Sequence, residues 1–190
     1  MSISNNIILI GPGKAGKTTV SELLGQRLNL PVAALDDLRW DYYAEIGYDP
    51  DYARQLRREQ GFPALVEYWK PFDIHGVERV LADYPQDYII AFGAGHSVYA
   101  DQGYLERAKQ ALAGHHVILL MPTPDIEESS RILQDRLLKN EPELAGSTIP
   151  MVNRQLMQDP SNRYLATATI YNANQTPEQT CTAIIEMLGL

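Results

Sequence analysis

Residues 11–18, Gly-Pro-Gly-Lys-Ala-Gly-Lys-Thr, constrain the fold of this chain more than any other segment. They match the pattern G-x-x-x-x-G-K-[ST] and follow a short apolar run at 6–10 that is typical of a strand buried on both faces. After the motif, apolar residues recur at helical spacing from Val20 to Leu28. A strand, a glycine-rich turn and a helix in this order place backbone N–H groups and a helix N-terminus around one anion. The segment therefore predicts a phosphate-binding loop.

The residue types of the motif suggest a role for each position. Glycine lets the backbone approach phosphate closely, the side chain of Lys17 reaches the β- and γ-phosphates, and the hydroxyl of Thr18 is a ligand for Mg²⁺. The sequence therefore predicts ATP and Mg²⁺ as cofactors. The predicted nucleotide-binding residues of the loop are Gly11, Gly13, Lys14, Ala15, Gly16, Lys17, Thr18 and Thr19.

The rest of the chain alternates between apolar runs and helical patterns, which predicts an α/β protein with a five-stranded parallel sheet between two layers of helices. Its 190 residues suit a single domain. An aromatic and arginine-rich segment at 39–70 is predicted as a helical cap over the substrate, and a polar segment at 139–159 as a lid. The predicted strands are 6–10, 31–35, 88–92, 116–121 and 168–171, and the predicted helices are 17–28, 51–68, 76–81, 104–112, 125–139 and 177–188.

Charge and composition exclude several classes of partner. The net charge is −8 and no basic run is present, which argues against binding to a nucleic-acid backbone. No apolar run approaches the roughly 20 residues that cross a bilayer, and the first residues lack the positive region of a secretory signal. Cys181 is the only cysteine, so an intramolecular disulfide is excluded, and its helical spacing predicts a core position. We expect a cytoplasmic protein that binds a small molecule and neither nucleic acid nor membrane, with its oligomeric state left open.

Two adjacent carboxylates, Asp36 and Asp37, stand at the end of the second predicted strand. Because the carboxyl ends of neighbouring parallel strands converge on one crevice, we expect at least one of them to face the phosphates. A carboxylate there can hold Mg²⁺ or receive the proton of an acceptor hydroxyl. The first role is assigned to Asp36, together with Thr18, and the second to Asp37 or Asp36. The alternative is that Asp37 only caps the next helix.

Taken in order, these features resemble the shikimate-kinase-like branch of the nucleoside-monophosphate-kinase fold. The resemblance covers most of the chain: the phosphate loop, the second strand with its acidic end, the glycine turn at 93–95, and the strand at 117–121 with the segment 124–136 behind it. It implies a three-layer P-loop fold and an ATP-dependent kinase that phosphorylates a hydroxyl of a small metabolite.

The resemblance also implies roles for residues outside the loop. By position, Arg131 and Arg136 would contact the nucleotide, with Arg154 or Arg163 beyond them, and the glycine turn would hold the acceptor. The predicted catalytic residues are Lys17, Asp36, Asp37 and Arg136, and the predicted substrate residues are Arg58, Gly93, Gly95 and His96.

The chain departs from the family at the acceptor. Shikimate kinases carry Asp-x-Asp rather than two adjacent aspartates, and they bind the shikimate carboxylate with an arginine after a phenylalanine. Here Phe72 is followed by Asp73, and the family's later substrate arginine falls nearest Gln158. Since paired arginines are the strong carboxylate ligands, the acceptor is predicted not to be shikimate.

Several alternatives stay open at this point. His96 can contact the acceptor or only bond to backbone, and Arg54 and Arg58 share a helix face that can meet an anion or water. The tyrosines and tryptophans between 40 and 69 can wall a pocket for a ring-bearing acceptor or form the core of the inserted segment. Two further functions remain possible, a nucleoside or nucleotide kinase and a regulatory module that binds ATP without transferring phosphate.

Overall fold

The structure, a computed structural model, describes residues 5–190. The predicted absence of a secretory signal rests largely on residues 1–4, which lie outside the described residues. Within the described part, five strands form one all-parallel sheet in the order β2-β3-β1-β4-β5. The strands are β1 (Ile7–Ile10), β2 (Val32–Ala34), β3 (Ile89–Ala91), β4 (His116–Met121) and β5 (Ala168–Tyr171).

Helices connect the strands and cover both sides of the sheet. They pack on one another in pairs, α1 against α9 and α4 against both α2 and α5. A short 3-10 turn (Pro142–Leu144) links α6 to α7. The helices are α1 (Lys17–Leu28), α2 (Leu35–Glu45), α3 (Pro50–Gln60), α4 (Phe62–Asp83), α5 (Gln102–Ala111), α6 (Ile126–Asn140), α7 (Ile149–Gln158), α8 (Ser161–Leu165) and α9 (Pro177–Leu188).

The centre of the sheet is strand β1, and all four of its residues are completely buried. It pairs with β3 on one side, with Ile8 opposite Ile90, and with β4 on the other, with Ile8 opposite Val117. A strand that is apolar on both faces needs helices on both faces, which is the arrangement predicted from the sequence. The fold class is therefore confirmed.

The boundary between the helices predicted at 51–68 and 76–81 is wrong. The break lies at Gly61, which has a φ of +87° and separates α3 from α4. Helix α4 then continues through Pro71 to Asp83. The segments 51–68 and 76–81 are thus parts of two helices with a different boundary. Pro71 removes one backbone donor, but the helix persists because Ile74 and Val77 are buried in the core on its far side.

The second strand is shorter than predicted, and this changes the setting of the acidic pair. The sheet pairing ends at Ala34, and α2 begins at Leu35, so Asp36 and Asp37 lie in the first helical turn. Residue 34 occupies the capping position, and no side chain makes a capping bond there. Asp37 is therefore not the helix cap.

The last helix begins as predicted, with a reciprocal pair of hydrogen bonds between Thr176 and Gln179 and a proline at its first position. Cys181 on this helix is completely buried, which confirms its predicted core position. No helix within residues 5–190 is long and apolar enough to cross a bilayer.

Close packing of α1 on β2 makes Gly25 sensitive to substitution. A Cβ atom there would lie 2.4 Å from Val32 Cγ2 and 3.0 Å from the carbonyl oxygen of Leu30. Overpacking of this kind costs about 1–3 kcal/mol, and the helix propensity of alanine offsets about 1 kcal/mol of it. We expect Gly25→Ala to lower the free energy of unfolding, measured by urea titration. Gly76→Ala is the matched control, since its nearest contacts are ordinary at 3.6 and 3.7 Å, and it should raise that free energy. Equal changes in the two variants would contradict this account.

Candidate functional site

The phosphate loop leaves β1 in a conformation that only glycine adopts easily. Gly11 has a φ of +131°, and a Cβ there would lie 2.4 Å from the carbonyl oxygen of Leu120 in β4. Gly16, with φ +96°, occupies the capping position of α1. The side chain of Asn172 donates to the carbonyl of Ala15 at 2.8 Å and holds the loop from the β5 side. The motif therefore has the strand, turn and helix context that its prediction required.

Lys17 points back into this loop. Its Nζ donates to the carbonyl oxygens of Gly11 and Pro12, at 2.8 Å each. Burial lowers the pKa of Lys17 to about 8, and the nearby Asp36 carboxylate partly opposes that shift. The ammonium group is thus held within the loop, in a dry environment where an added negative charge interacts strongly with it.

The loop faces a cavity of about 570 Å³, which we call the phosphate pocket. It lies between the loop, the start of α2, the end of β3 and the last turns of α6. Thr18 and Thr19 expose their side chains at its base. Its side chains that can bind phosphate or a cation are those of Lys14, Lys17, Thr18, Thr19, Asp36, Asp37 and Arg136.

Arg136 reaches this pocket from α6. Its Nη1 lies 3.3 Å from the carbonyl oxygen of Lys14, to which it donates a hydrogen bond. Partial burial lowers the pKa of Arg136. The guanidinium nevertheless keeps its charge, because arginine is not deprotonated in proteins. Arg136 therefore lies beside the phosphate loop, and its contact with the nucleotide stays a prediction.

A second cavity of about 530 Å³, here called the apolar pocket, adjoins the first. The two share four lining residues, and Asp36 is the acidic one among them. Asp37 lines only the phosphate pocket. Most of the wall of the apolar pocket is hydrophobic, with side chains that include Phe62, Val66, Trp69, Leu137, Val152 and Leu156.

The floor of the apolar pocket is a buried polar cluster centred on Asp73. The carboxylate accepts a short hydrogen bond from the hydroxyl of Tyr43 and pairs with Lys70 at 3.2 Å. Lys70 also donates to the carbonyl of Gly95 at 2.9 Å. Nε2 of His96 lies 3.5 Å from Asp73 and 3.3 Å from the hydroxyl of Tyr43. The cluster ties α2 and α4 to the glycine turn.

Arg39 completes the wall beside Asp36. Its guanidinium packs over the rings of Trp40 and Trp69, 4.1 and 4.9 Å from their centres, and Nη1 lies 3.4 Å from Asp36 Oδ1. Its Nε is buried without a hydrogen-bond partner. Arg39 therefore lies beside Asp36 with one donor, Nε, that is shielded from solvent and has no partner among the described residues.

The glycine turn at 93–95 lies under both pockets. A Cβ on Gly93 would lie 2.3 Å from Asp36 Oδ1 and 2.6 Å from His96 Nδ1, so both side chains meet directly over this glycine. Burial lowers the pKa of His96, with the carboxylates of Asp73 and Asp36 opposing, and this shift favours the neutral ring. Gly93, Gly95 and His96 thus come together as predicted, although the role of holding an acceptor stays a prediction.

The predicted lid segment is largely helical and rests on the loop. Asn153 of α7 accepts from the N–H of Gly13 at 2.7 Å and donates to its carbonyl at 3.1 Å. Lys14 forms an ion pair with Glu141, between α6 and the 3-10 turn. These contacts place 139–159 against the loop, where its residues line mainly the apolar pocket.

Some predicted residues are not part of either pocket. Arg58 is exposed on α3, and Arg54 beside it pairs with Asp51. Arg131 is exposed on α6 and lines neither pocket, and Arg154 pairs with Glu127. Their contacts with nucleotide or acceptor stay predictions that the pocket geometry does not support.

Sequence reasoning missed four polar residues of this region: Arg39, Lys70, Asn153 and Asn172. No motif contains them, and the partners of Asn153 and Asn172 lie on other elements. Lys70 and Arg39 carried a usable signal, since each lies three residues from an aspartate, Asp73 and Asp36, a spacing that pairs opposite charges on a helix.

The buried Lys70–Asp73 pair yields a stability prediction. Lys70→Met leaves the Asp73 carboxylate buried without its cation, and breaking buried pairs in this way costs about 3–5 kcal/mol. We expect that loss in the free energy of unfolding at neutral pH, measured by urea titration. The matched control is Arg54→Met, which breaks an exposed pair at the same spacing and should change stability by about 0.5 kcal/mol or less. A similar small effect of both variants would contradict the proposed importance of the cluster.

The depressed pKa of Lys17 yields a prediction for nucleotide binding. Phosphate favours the ammonium form, so binding above pH 8 must take up a proton, and affinity for an ATP analogue should fall as pH rises through about 8. The stability of the free protein depends on pH in the opposite direction. The unfolded chain binds more protons between pH 8 and 10.5, so this group adds stability as pH rises through that window. Calorimetric titrations from pH 7 to 9 measure the affinity, and Lys17→Met should bind weakly with no dependence on pH there. A wild-type affinity that is flat over this range would refute the assignment.

The structure of this chain is similar to several solved kinase structures. No protein-family model matches the chain, and no curated protein matches it. The structure of shikimate kinase from Acinetobacter baumannii in complex with shikimate matches 98% of this chain and 93% of its own, at 21% identity and a TM-score of 0.66. A gluconokinase from Sinorhizobium meliloti 1021 matches 100% and 94%, at 14% identity and a TM-score of 0.64. A sugar kinase from Janibacter sp. HTCC2649 matches 98% and 95%, at 15% identity and 0.62. The resemblance predicted from the sequence is confirmed at the level of the fold: this chain has the P-loop fold of shikimate kinase and sugar kinase structures.

Proposed function

We propose that this protein is a kinase that transfers the γ-phosphate of ATP to a hydroxyl group of a small molecule, with Mg²⁺. The observation that carries the proposal is the position of Asp36, which lies at the junction of the phosphate pocket and the apolar pocket. A phosphate-binding loop alone serves many functions. A carboxylate between that loop and a second cavity is what phosphoryl transfer to an alcohol requires. The similar kinase structures support the same class of reaction.

In this proposal the loop binds the phosphates of ATP. Backbone N–H groups of residues 13–18 surround the phosphate oxygens, and Lys17 exchanges its contacts with Gly11 and Pro12 for the β- and γ-phosphates. Arg136 adds positive charge from α6. Since phosphoryl transfer depends mainly on positioning and charge neutralisation, these groups supply most of what the nucleotide side needs.

The donor groups present fit Mg²⁺. This ion is usually bound by one or two carboxylates together with substrate phosphates, rather than by a cage of protein ligands. Thr18 and Asp37 both expose oxygen atoms in the phosphate pocket. When bound, the ion neutralises charge on the phosphate oxygens. Asp36, predicted from the sequence as the metal carboxylate, lies farther toward the apolar pocket, so its position supports Asp37 for this role.

Asp36 is then the group that receives the acceptor proton. The acceptor oxygen forms a bond to the γ-phosphorus while the bond from that phosphorus to the β–γ bridging oxygen breaks. ADP leaves, and the hydroxyl proton goes to the Asp36 carboxylate. Arg39 at 3.4 Å holds this carboxylate, and Gly93 leaves room for it above the glycine turn.

The segments 39–70 and 139–159 take the roles of substrate cap and lid. The first supplies the aromatic side of the apolar pocket, and the second supplies α7 and the contact of Asn153 with the loop. A lid that closes over both pockets excludes water, which would otherwise compete with the acceptor. Shikimate is not the expected acceptor, because Asp73 is committed to Tyr43 and Lys70, and Gln158 lines neither pocket.

The proposed activity predicts ADP release that depends on an acceptor. A coupled assay with ATP, Mg²⁺ and a panel of sugars, polyols, nucleosides and shikimate should show turnover with some members and little without any. Lys17→Ala should abolish it and weaken binding of an ATP analogue, because the contact with the β- and γ-phosphates is lost. Nucleotide binding with no acceptor-dependent release across the panel would instead indicate a regulatory module.

The two aspartates should separate in their kinetic effects. Asp36→Asn should lower kcat by about 10²- to 10⁴-fold with nucleotide affinity nearly unchanged, as expected for loss of a proton acceptor. Asp37→Asn should raise the Mg²⁺ concentration needed for half-maximal rate, with a smaller effect on kcat at saturating Mg²⁺. Steady-state kinetics over a range of Mg²⁺ concentrations test both. The opposite pattern would restore Asp36 as the metal carboxylate and Asp37 as the base.

A further inference from the structure

The wall of the apolar pocket is the feature that the proposed reaction does not by itself explain. Trp69, Phe62 and Val66 of α4 form one side, and Leu156 and Val152 of α7 face them. A molecule covered with hydroxyl groups, such as a sugar acid, would lose water on this wall without gaining hydrogen bonds. The cavity, at about 530 Å³, is in the range of pockets that enclose a whole small ligand. Its wall therefore fits a ligand with an apolar body.

One group of polar side chains lies at the Asp36 end of this pocket, and a second, Ser130, Gln134, Glu141 and Asn153, lines it from the side of α6 and α7. Arg39 Nε and His96 Nδ1 are both buried and have no hydrogen-bond partner among the described residues. Both side chains line the apolar pocket. His96 Nδ1 and Asp36 meet over Gly93, and Arg39 contacts Asp36 from the other side. Arg39 Nε is a donor, whereas Nδ1 of a neutral His96 is an acceptor, because Nε2 donates toward Asp73 and the Tyr43 oxygen. Since buried polar atoms without partners are destabilising, both atoms suit ligand hydroxyls on either side of the reacting hydroxyl, one accepting from Arg39 and one donating to His96.

Charge balance then selects a neutral ligand. Each basic side chain on this wall or directly behind it, among the residues the structure describes, is already paired with a carboxylate. Lys17 and Arg136, by contrast, donate to backbone carbonyls, and they line the phosphate pocket. An anionic group in the apolar pocket would find no cation without a partner. The basic side chains on or behind the wall of the apolar pocket and their carboxylate partners are Lys14–Glu141, Arg39–Asp36 and Lys70–Asp73.

We propose that the acceptor is a neutral molecule with a flat apolar group at one end and neighbouring hydroxyls at the other, the chemistry of a nucleoside or an aryl glycoside. This rests on the proposed function and adds the substrate class. The hydroxyl end lies at Asp36, with its neighbouring oxygens on Arg39 and His96. The flat group lies between α4 and α7.

In this proposal, Trp69 is the side chain on which the flat group stacks. Its ring is fixed by the hydrogen bond from Nε1 to the hydroxyl of Tyr48 at 3.2 Å, and by edge contacts with Phe62 and Trp40 at 6.2 Å. A ring held this way provides a preformed surface for stacking, at little loss of side-chain freedom on binding. Trp69 is thus a specificity residue of the acceptor site.

The test compares acceptors in matched pairs with and without the flat group: adenosine with ribose, and phenyl glucoside with glucose, with gluconate and shikimate as anionic members. Binding is measured by calorimetry in the presence of an ATP analogue and Mg²⁺, and transfer by ADP release with wild type and Lys17→Ala. The flat member of a pair should bind more tightly and have the higher kcat/KM. Which pair responds distinguishes a nucleoside from an aryl glycoside.

The variants locate the recognition. Trp69→Leu should raise KM for the flat acceptor by about 10- to 100-fold, the loss expected when a stacked ring is removed, with KM for ATP unchanged. Tyr52→Leu is the matched control, an exposed aromatic residue of the same inserted segment outside the pocket, and should leave both values unchanged. If Trp69→Leu fails to fold, Leu156→Ser tests the opposite wall with the same readout.

The outcomes separate the two proposals. Lys17-dependent turnover that prefers the anionic or unsubstituted acceptors, or an equal effect of Trp69→Leu on both members of a pair, overturns the substrate class and keeps the kinase. Tight binding of flat molecules without ADP release keeps the recognition and overturns the kinase. Absence of both binding and turnover overturns the two together.

Discussion

The site depends on the turn by which the chain leaves the central strand. Gly11 lies so close to the carbonyl oxygen of Leu120 that no side chain fits there, and its positive φ directs the following N–H groups away from the sheet. The parallel neighbours of β1 then determine what stands next to those groups. Strand β3 leads into the glycine turn at Gly93, and β2 leads into the first turn of α2 with Asp36. One buried strand therefore fixes the spacing between phosphate loop, carboxylate and glycine turn.

The sequence predicted well those features whose signal is local. The loop motif, the strand periodicity and the start of α9 depend on neighbouring residues, and all are present in the structure. It failed where packing overrides a local signal. The gap predicted between the helices at 51–68 and 76–81 is bridged by α4, because the far side of that helix is buried in the core. The place of Arg39 in the site does not follow from its spacing alone: Asp36 and Trp40 lie on its own helix, but the second ring over which it packs, Trp69, is brought to it by α4.

The role of Asp73 in the structure differs from the role that its position in the sequence suggests. In the sequence it stands where the resemblance to shikimate kinases implies an arginine, which suggests that it repels an anionic substrate. In the structure it is buried and held by Lys70 and Tyr43, whose pKa is raised by burial and by the Asp73 charge, so the phenol stays protonated and donates. The carboxylate joins α2, α4 and, through Lys70, the carbonyl of Gly95. The aspartate at this position thus serves as an internal support of the pocket floor.

In the free protein the groups proposed to bind phosphate are paired internally, and these pairs compete with the proposed nucleotide binding. Lys17 donates to two loop carbonyls, Lys14 pairs with Glu141, and the N–H of Gly13 donates to Asn153 of the lid helix. A phosphate that takes the N–H of Gly13 has to displace Asn153, and one that attracts Lys14 competes with Glu141. Binding energy is therefore the difference between the new contacts and these internal ones. Because two of the displaced partners belong to the segment 139–159, occupation of the loop and the position of the lid are coupled through the same hydrogen bonds.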